Sequence, residues 1–376
     1  MNLDYYKDFR KKLHQNAELA FEEVNTKKII LEHFAKFNNY KIIELGKASF
    51  CLIINSEIES KTILFRTELD ALPIVEINDF AHKSLNPNVS HKCGHDGHIT
   101  IVSALASKIL DEGLEKGKVI FLFQSAEETG EGAVDILKYE EFTSMQIDYC
   151  FALHNIPGYP KSSIINKEGV FSSASTGYIV KLFGKTSHAA EPENGYNPAL
   201  AISKIINISN SLINIDIKSD DFTLITPIQI NMGSEAFGTS AGYGEVKFTL
   251  RAYSNEVLQE LIKNMESEIS KICSIEKLEY KIEFKEYFFA NNNDKESNDI
   301  IVDSANSMNL NLITKEIPFK WSEDFGAISS RYKGAMFGLG SGEDCPALHN
   351  PDYDFPDDII ETGVNMFYEI YKRVID

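Results

Sequence analysis

The chain has 376 residues, too many for one ordinary hydrophobic core, so two domains are expected. Hydrophobic residues make up 43% and charged residues 25% of the chain, which is typical of a soluble globular protein. The net charge of −19 argues against nucleic acid or an anionic membrane as a partner.

The cysteines and the N-terminus bear on the cellular compartment. Five scattered cysteines, an odd number, give no disulfide framework and favour a reducing compartment. The first residues lack the apolar stretch of a secretory signal, and no apolar run reaches membrane-spanning length. We therefore expect a cytoplasmic protein that does not bind membranes.

Taken in chain order, the sequence predicts helices that alternate with short apolar strands. Two helices are expected within residues 4–37, and further helices at 99–110 and 133–139. The strands are predicted at residues 50–54, 62–66, 118–123, 148–153 and 335–339. Short, continuous apolar runs separated by helices indicate an α/β fold, with a mostly parallel sheet flanked by helices.

Residues 90–98 concentrate potential metal ligands just before the helix at 99–110. Cys93 and His95 flank Gly94, and a thiolate and an imidazole two residues apart can reach one metal or two neighbouring ones. Alone, the stretch also fits a polar loop with solvated histidines. Its interpretation therefore depends on whether other segments supply further ligands.

Side chains of metal-binding types also follow other predicted strands. They are Glu68 and Asp70 after residues 62–66, Glu127 and Glu128 after 118–123, His154 after 148–153, and His349 past 335–339. Open α/β sheets bind ligands at the carboxyl ends of their strands, so these groups can converge. Clustered carboxylates repel one another, and a pair of divalent cations removes that conflict. A dinuclear site with one shared ligand, leaving Glu127 as a base, would use Cys93, His95, Glu128, His154 and His349.

Each of these residues also has a plainer interpretation. Glu127 and Glu128 could begin a solvated helix, and His154 could be a hydrogen-bonded core histidine. Because four separate stretches offer ligand types together, we favour the metal site.

Residues 175–290 show a different order of elements. Strands are predicted at 176–184, 222–232, 245–253 and 277–288, and helices at 198–215 and 256–273. This βαββαβ order predicts an inserted α+β domain with a four-stranded sheet and two helices. The stretch from Asn291 to Asp294 indicates a polar turn back to the larger domain, which comprises residues 1–174 and 291–376.

The motifs together resemble a known family. Residues 10–23, 66–73, 92–98, 125–133, 153–155, 184–198, 322–325 and 347–356 match, in family order, the co-catalytic metallopeptidases that include aminoacylases, carboxypeptidase G and dipeptidases. The chain is most similar to the amidohydrolase branch of hippurate hydrolase, indole-acetyl-amino-acid hydrolase and N-acetyldiaminopimelate deacetylase. The wider family has a histidine ligand where this chain has Glu68; the branch carries the Cys93-Gly94-His95 element instead.

The resemblance implies two divalent metal ions per subunit, Zn²⁺ or Mn²⁺. Cys93 would bridge the metals. Glu128 and His349 would complete one site, and His95 and His154 the other. Residues 1–174 and 291–376 would then form a catalytic domain, and residues 175–290 a lid.

The resemblance also implies roles outside the ligand set. Asp70 would support a ligand, and Glu127 would act as general base and then acid while metal-activated water hydrolyses the amide bond of an N-acyl amino acid or related small amide. Residues 184–190 resemble the lid motif, which makes His188 a candidate oxyanion donor; in dimeric relatives it comes from the partner's lid. Arg251 stands where relatives often contact the substrate carboxylate.

Several points stay open at this stage. His188 also fits a surface-loop histidine, and Arg251 a solvated strand arginine. Gly238 lies where relatives carry a lid asparagine, so either its backbone binds the substrate or the substrate differs.

The enzyme could also be a dipeptidase or aminopeptidase acting on a dipeptide-like substrate. A non-catalytic metal-binding homologue is disfavoured because Glu127 and every ligand are present. An edge strand of the lid favours a homodimer through that domain.

Overall fold

The computed structural model describes residues 1–375 and divides into two compact units. The first comprises Met1–Phe171, Asn291–Glu316 and the described chain from Glu323 onward. The second comprises Ser172–Ala290 and Ile317–Ser322. The first junction lies three residues before the predicted one, and residues 317–322, which the prediction gave to the larger domain, join the second unit.

The elements are as follows. The strands are β1 (Lys41–Leu45), β2 (Ser49–Asn55), β3 (Thr62–Glu68), β4 (Lys118–Gln124), β5 (Tyr149–Pro157), β6 (Ile164–Asn166), β7 (Gly169–Ser172), β8 (Ala174–Phe183), β9 (Ser187–His188), β10 (Thr223–Met232), β11 (Thr239–Ser240), β12 (Tyr243–Ala252), β13 (Glu279–Phe288), β14 (Asn291–Asn293), β15 (Leu312–Thr314) and β16 (Gly334–Gly342). The helices are α1 (Leu3–Gln15), α2 (Val24–Phe34), α3 (His95–Glu112), α4 (Gly132–Ile136), α5 (Glu140–Thr143), α6 (Ala199–Ser209), α7 (Asn255–Glu276), α8 (Lys295–Ser307), α9 (Phe325–Ser329) and α10 (Ile360–Ile375).

The first unit is built on an eight-stranded sheet in the order β1-β2-β4-β3-β5-β16-β6-β15. Its centre is parallel, since β3 pairs in parallel with both β4 and β5, and β5 with β16. Every residue of β3 is buried, and α3 and α10 both pack against it. A strand buried along its whole length reads as a continuous apolar run. The prediction of an α/β fold with a mostly parallel sheet is therefore confirmed.

The second unit carries a separate antiparallel sheet in the order β10-β12-β8-β13, against which α6 and α7 pack. The predicted βαββαβ order is confirmed. Helix α6 ends at Ser209 rather than at Ile215. Beyond it, the backbone N–H of Asp216 donates to the side chain of Asn214, and the N–H of Asn214 donates to Thr223 Oγ1. Such side-chain bonds compete with the helical pattern and favour turns.

The predicted polar turn after Ala290 is wrong. Asn291–Asn293 forms strand β14, and two of its three residues are buried. The Asn293 side chain explains this, because its amide donates to Met336 O at 2.8 Å and accepts from Met336 N at 2.8 Å. A buried amide that pairs with a neighbouring backbone in this way substitutes for ladder hydrogen bonds.

Within residues 1–375, every helix is too short or too polar to cross a bilayer.

Candidate metal centre

The loop that carries Cys93 and His95 is fixed by the glycine between them. Gly94 caps the N-terminus of α3 with a φ of 90°, in the left-handed region that favours glycine. A Cβ atom at Gly94 would lie 2.7 Å from Asn155 Oδ1, so the position is also too crowded for a side chain. Cys93 and His95 are both buried and stand on either side of this tight turn.

His95 presents one ring nitrogen to the site. Its Nδ1 lies 2.8 Å from the backbone oxygen of Asp70, and a carbonyl can only accept, so Nδ1 donates. The other nitrogen, Nε2, is buried without a hydrogen-bond partner. An imidazole whose second nitrogen is held by a carbonyl is the usual arrangement of a metal-binding histidine.

His154, near the end of β5, is held in the same way. Its Nδ1 donates to the backbone oxygen of Asn155 at 2.8 Å, and its Nε2 lies 3.5 Å from Cys93 Sγ. The ligand atoms of Cys93, His95 and His154 all lie within 4.8 Å of one another. Three side chains from two separate stretches thus meet at one point.

The turn after β4 brings a carboxylate to the same place. The backbone N–H of Glu128 donates to Asp70 Oδ2 at 2.9 Å, and Glu128 Oε1 is buried without a hydrogen-bond partner. His349 Nε2 lies 3.6 Å from that oxygen, and the His349 N–H donates to Lys92 O at 2.8 Å. The ligand atoms of Cys93, Glu128 and His349 form a second group within 4.8 Å.

The two groups share Cys93, as a dinuclear centre with one common ligand requires. Their thiol, imidazole and carboxylate donors suit Zn²⁺ or Mn²⁺. The buried, unpartnered atoms of His95 and Glu128 also fit cations, because polar atoms are rarely buried without a partner. These residues therefore fit a pair of divalent ions. Other groups of ligand types lie within 4.8 Å of one another as well, namely Glu68, His95 and His98; His95, Glu127 and Glu128; and Glu127, Glu323 and Asp324.

The protonation of the site is set by its burial and its crowded carboxylates. Burial raises the pKa of Glu127, with Glu323 and Glu128 adding to the effect, and burial raises the pKa of Glu128 to about 7. Burial also raises the pKa of the Cys93 thiol. Burial alone would lower the pKa of His95, but Asp70 and the nearby glutamates outweigh it and raise the pKa to about 10. The raised pKa values favour protonated ligand atoms in the metal-free protein, and a metal ion must displace these protons when it binds.

A buried arginine balances part of this negative charge. Arg66, on β3, forms ion pairs with Glu68, Glu323 and Asp324, the one with Glu323 at 2.9 Å. All four side chains are almost completely buried. Sequence reasoning gave Arg66, Glu323 and Asp324 no role. An arginine within an apolar strand was a signal for Arg66, whereas its two partners were marked only by the family resemblance of residues 322–325.

In the second unit, His188 and Gly238 lie on neighbouring segments. His188 pairs with Thr239 across the β9–β11 ribbon, and the N–H of Ala189 donates to Gly238 O at 2.9 Å. The N–H of Ala190 donates to His188 Nδ1 at 3.1 Å, so a neutral ring carries its proton on Nε2. His188 is exposed. No heavy atom lies within 4 Å of a Cβ built on Gly238, so sterics do not require glycine there.

Arg251, on β12, is half-buried in the second unit. Its guanidinium donates to Lys320 O and to Ser322 Oγ, both at 3.0 Å. Within residues 1–375, no carboxylate forms an ion pair with it. A guanidinium positioned without an anionic partner can bind a carboxylate.

Known proteins resemble this chain along most of its length. Residues 64–373 match the model of peptidase family M20/M25/M40. Hippurate hydrolase of Campylobacter jejuni is 28% identical over 98% of this chain and 96% of its own length. N-acetyldiaminopimelate deacetylase of Oenococcus oeni is 27% identical over 94% of each chain.

Among solved structures, a dinuclear metal-binding peptidase of the M20 family from Bacillus subtilis has a TM-score of 0.84 and 21% identity, covering 99% of this chain and 98% of that one. At that identity the likeness shows the fold. Since the family model spans most of the chain, this protein belongs to peptidase family M20/M25/M40 and is a hydrolase of that family. The predicted family is thereby confirmed.

Proposed function

We propose that this hydrolase is a metal-dependent amidohydrolase that cleaves the amide bond of an N-acyl amino acid or a related small amide. The observation that carries the proposal is the pair of ligand triads that share Cys93, with the buried carboxylate of Glu127 beside them and part of neither. The names of the relatives, hippurate hydrolase and N-acetyldiaminopimelate deacetylase, both describe the removal of an acyl group from an amino acid, which supports this substrate class.

Two zinc or manganese ions are proposed as the cofactors. Cys93, Glu128 and His349 would hold one ion, and Cys93, His95 and His154 the other. Such ions, when bound, lower the pKa of water and polarise a carbonyl group. Asp70 would fix both triads, because it accepts a hydrogen bond from His95 and another from the backbone of Glu128.

Glu127 is the proposed general base. Its Oε2 lies 3.8 Å from His95 Nε2, so the carboxylate is beside the ligands. It would take the proton of the attacking water and deliver it to the leaving nitrogen. Burial and neighbouring carboxylates raise its pKa, and the positive charge of the two ions would lower it, which favours the ionised form that a base requires.

The second unit supplies the proposed substrate contacts. The Nε2–H of His188 would donate to the developing oxyanion, and Arg251 would bind the substrate carboxylate. The backbone of Gly238 would contact the substrate. The exposed side chains of Ile228 and Ile230 on edge strand β10 support a homodimer through this unit, and the five free cysteines support a cytoplasmic location.

The test is a substrate panel combined with one substitution. N-acetyl-amino acids, N-benzoyl-amino acids and unblocked dipeptides are offered to the metal-loaded protein, and we expect turnover of the acylated class. Glu127→Gln should retain its metal and lose roughly 100- to 10,000-fold in kcat. Glu131→Gln, at an exposed position of the same loop, is the control and should behave as the unchanged protein. Preferential turnover of unblocked dipeptides would identify a dipeptidase, and near-full activity of Glu127→Gln would refute the assigned base.

A further inference from the structure

We propose that Glu23, on the segment between α1 and α2, is a positioning residue: it holds the turn after β4 in the conformation that directs Glu127 and Glu128 toward the candidate metal centre. The inference rests on the proposed function, because it assigns Glu23 a part in the same site. Glu23 is completely buried and belongs to neither ligand triad.

The turn that carries the two glutamates has an unfavourable backbone. Ala126, directly before Glu127, has a φ of 59°, in the left-handed region that residues with a Cβ rarely adopt. The turn is also tightly folded, because a Cβ at Gly132 would lie 1.9 Å from Ser125 O. Such a conformation persists only where the surroundings determine it more strongly than the backbone resists it.

The carboxylate of Glu23 binds both residues that define this turn. Ser125 Oγ donates to Glu23 Oε2 at 2.6 Å, and the N–H of Ala126 donates to Glu23 Oε1 at 2.9 Å. One rigid carboxylate therefore fixes two successive residues immediately before Glu127. The second bond holds the peptide plane between these two residues, and the chain turns toward Glu127 from that plane.

The segment around Glu23 is itself anchored to the site. The N–H of Phe21 donates to Ser125 Oγ at 3.3 Å, and Glu18 O accepts from the N–H of Ala71 at 2.8 Å. Ala71 follows Asp70, which accepts from the N–H of Glu128. Residues 18–23 thus hold both the β3 and β4 strand ends that supply the carboxylates of the site.

The test compares three variants of the full-length protein. Glu23→Ala removes both hydrogen bonds, and we expect roughly 10- to 100-fold losses in kcat and in Zn²⁺ affinity, with KM changed less than about twofold. Glu23→Gln keeps an oxygen for Ala126 and an amide group that can donate to Ser125, so it should restore both quantities. Glu22→Ala, at the exposed neighbouring position, is the matched control. Zn²⁺ affinity is measured by competition with a chromophoric chelator.

A second variant covers the case in which Glu23→Ala does not fold. Ser125→Ala removes one of the two bonds, and a smaller but measurable loss of Zn²⁺ affinity is expected. Wild-type kcat and Zn²⁺ affinity in Glu23→Ala or, where that variant is unfolded, wild-type Zn²⁺ affinity in Ser125→Ala would overturn the proposal. If the unchanged protein hydrolyses no member of the substrate panel, the proposed function fails, while the Zn²⁺ measurements still decide the positioning role.

Discussion

The carboxylate oxygen Oε2 of Glu68 lies 2.8 Å from Nδ1 of His98 and accepts its hydrogen bond. Glu68 stands at the position where the wider family has a metal-binding histidine, and here its other oxygen pairs with Arg66. On the other side of the ring, His98 Nε2 lies 2.5 Å from Asn155 Oδ1 and 3.1 Å from the backbone nitrogen of Asn155. Glu68 and His98 therefore already have hydrogen-bond or ion-pair partners that are not metal ligands. We infer that they hold the neighbouring ligands His95 and His154 in place rather than bind metal.

Replacing Glu68 tests this supporting role. Glu68→Ala leaves the buried guanidinium of Arg66 with one carboxylate fewer and Nδ1 of His98 without an acceptor, so we expect about 3 kcal/mol less unfolding free energy. Urea denaturation of the metal-free protein measures it. Glu32→Gln, at an exposed ion pair with Lys12, should leave the unfolding free energy almost unchanged. A loss no larger than that of the control would contradict the role assigned to Glu68.

Metal binding should release protons. At pH 7.5 the raised pKa values leave Cys93 and His95 protonated and Glu128 partly so, and each must lose its proton to bind a cation. We expect roughly two protons released as the site fills, so metal affinity falls as the pH is lowered. Calorimetric titration with Zn²⁺ in buffers of different ionisation enthalpy counts them. A count of zero in the unchanged protein would contradict the protonation described for the site.

The stability of the metal-free protein should depend on pH through His14. Its Nδ1 lies 2.9 Å from Asp96 and its Nε2 2.9 Å from Glu76. Burial alone would lower the pKa of His14, but these hydrogen bonds outweigh it and raise the pKa to about 9. Because the folded state holds the proton more tightly, the stabilisation is fully present below pH 6.5 and is lost as the pH rises through 9.

The corresponding experiment compares the unchanged protein with His14→Gln at pH 6 and pH 10. The difference in unfolding free energy should shrink by about 3 kcal/mol between the two pH values. His33→Gln is the control. Burial lowers the pKa of His33 to about 4, so its ring is neutral at both pH 6 and pH 10. A difference for His14→Gln that stays constant with pH would exclude the proposed linkage.

The sequence predicted those parts of the molecule that depend on local patterns. The runs that became β3, β4 and β5 are apolar because both faces of the sheet are covered, and the polar residues after them had to lie at one edge. The candidate ligands could thus be named from the strand ends and from the loop before α3, and the structure brings Cys93 together with His95, His154, Glu128 and His349.

The remaining features depend on contacts between distant segments. Glu23 lies directly before α2, where acidic residues are common in many proteins. Only the folded chain brings it to Ala126. Strand β14 was predicted as a turn because three successive asparagines favour turns, yet Asn293 pairs with the backbone of Met336. Local propensity could not anticipate either contact.

The shared ligand can be tested by counting metal ions. If Cys93 belongs to both triads, Cys93→Ala should retain almost no tightly held metal after dialysis, whereas His349→Ala and His154→Ala should each retain about one ion per chain. His349 is exposed, so its replacement should leave the fold intact. His188→Ala is the control and should retain two ions. Elemental analysis by mass spectrometry gives the counts, and two ions in Cys93→Ala would exclude its thiol as the common ligand.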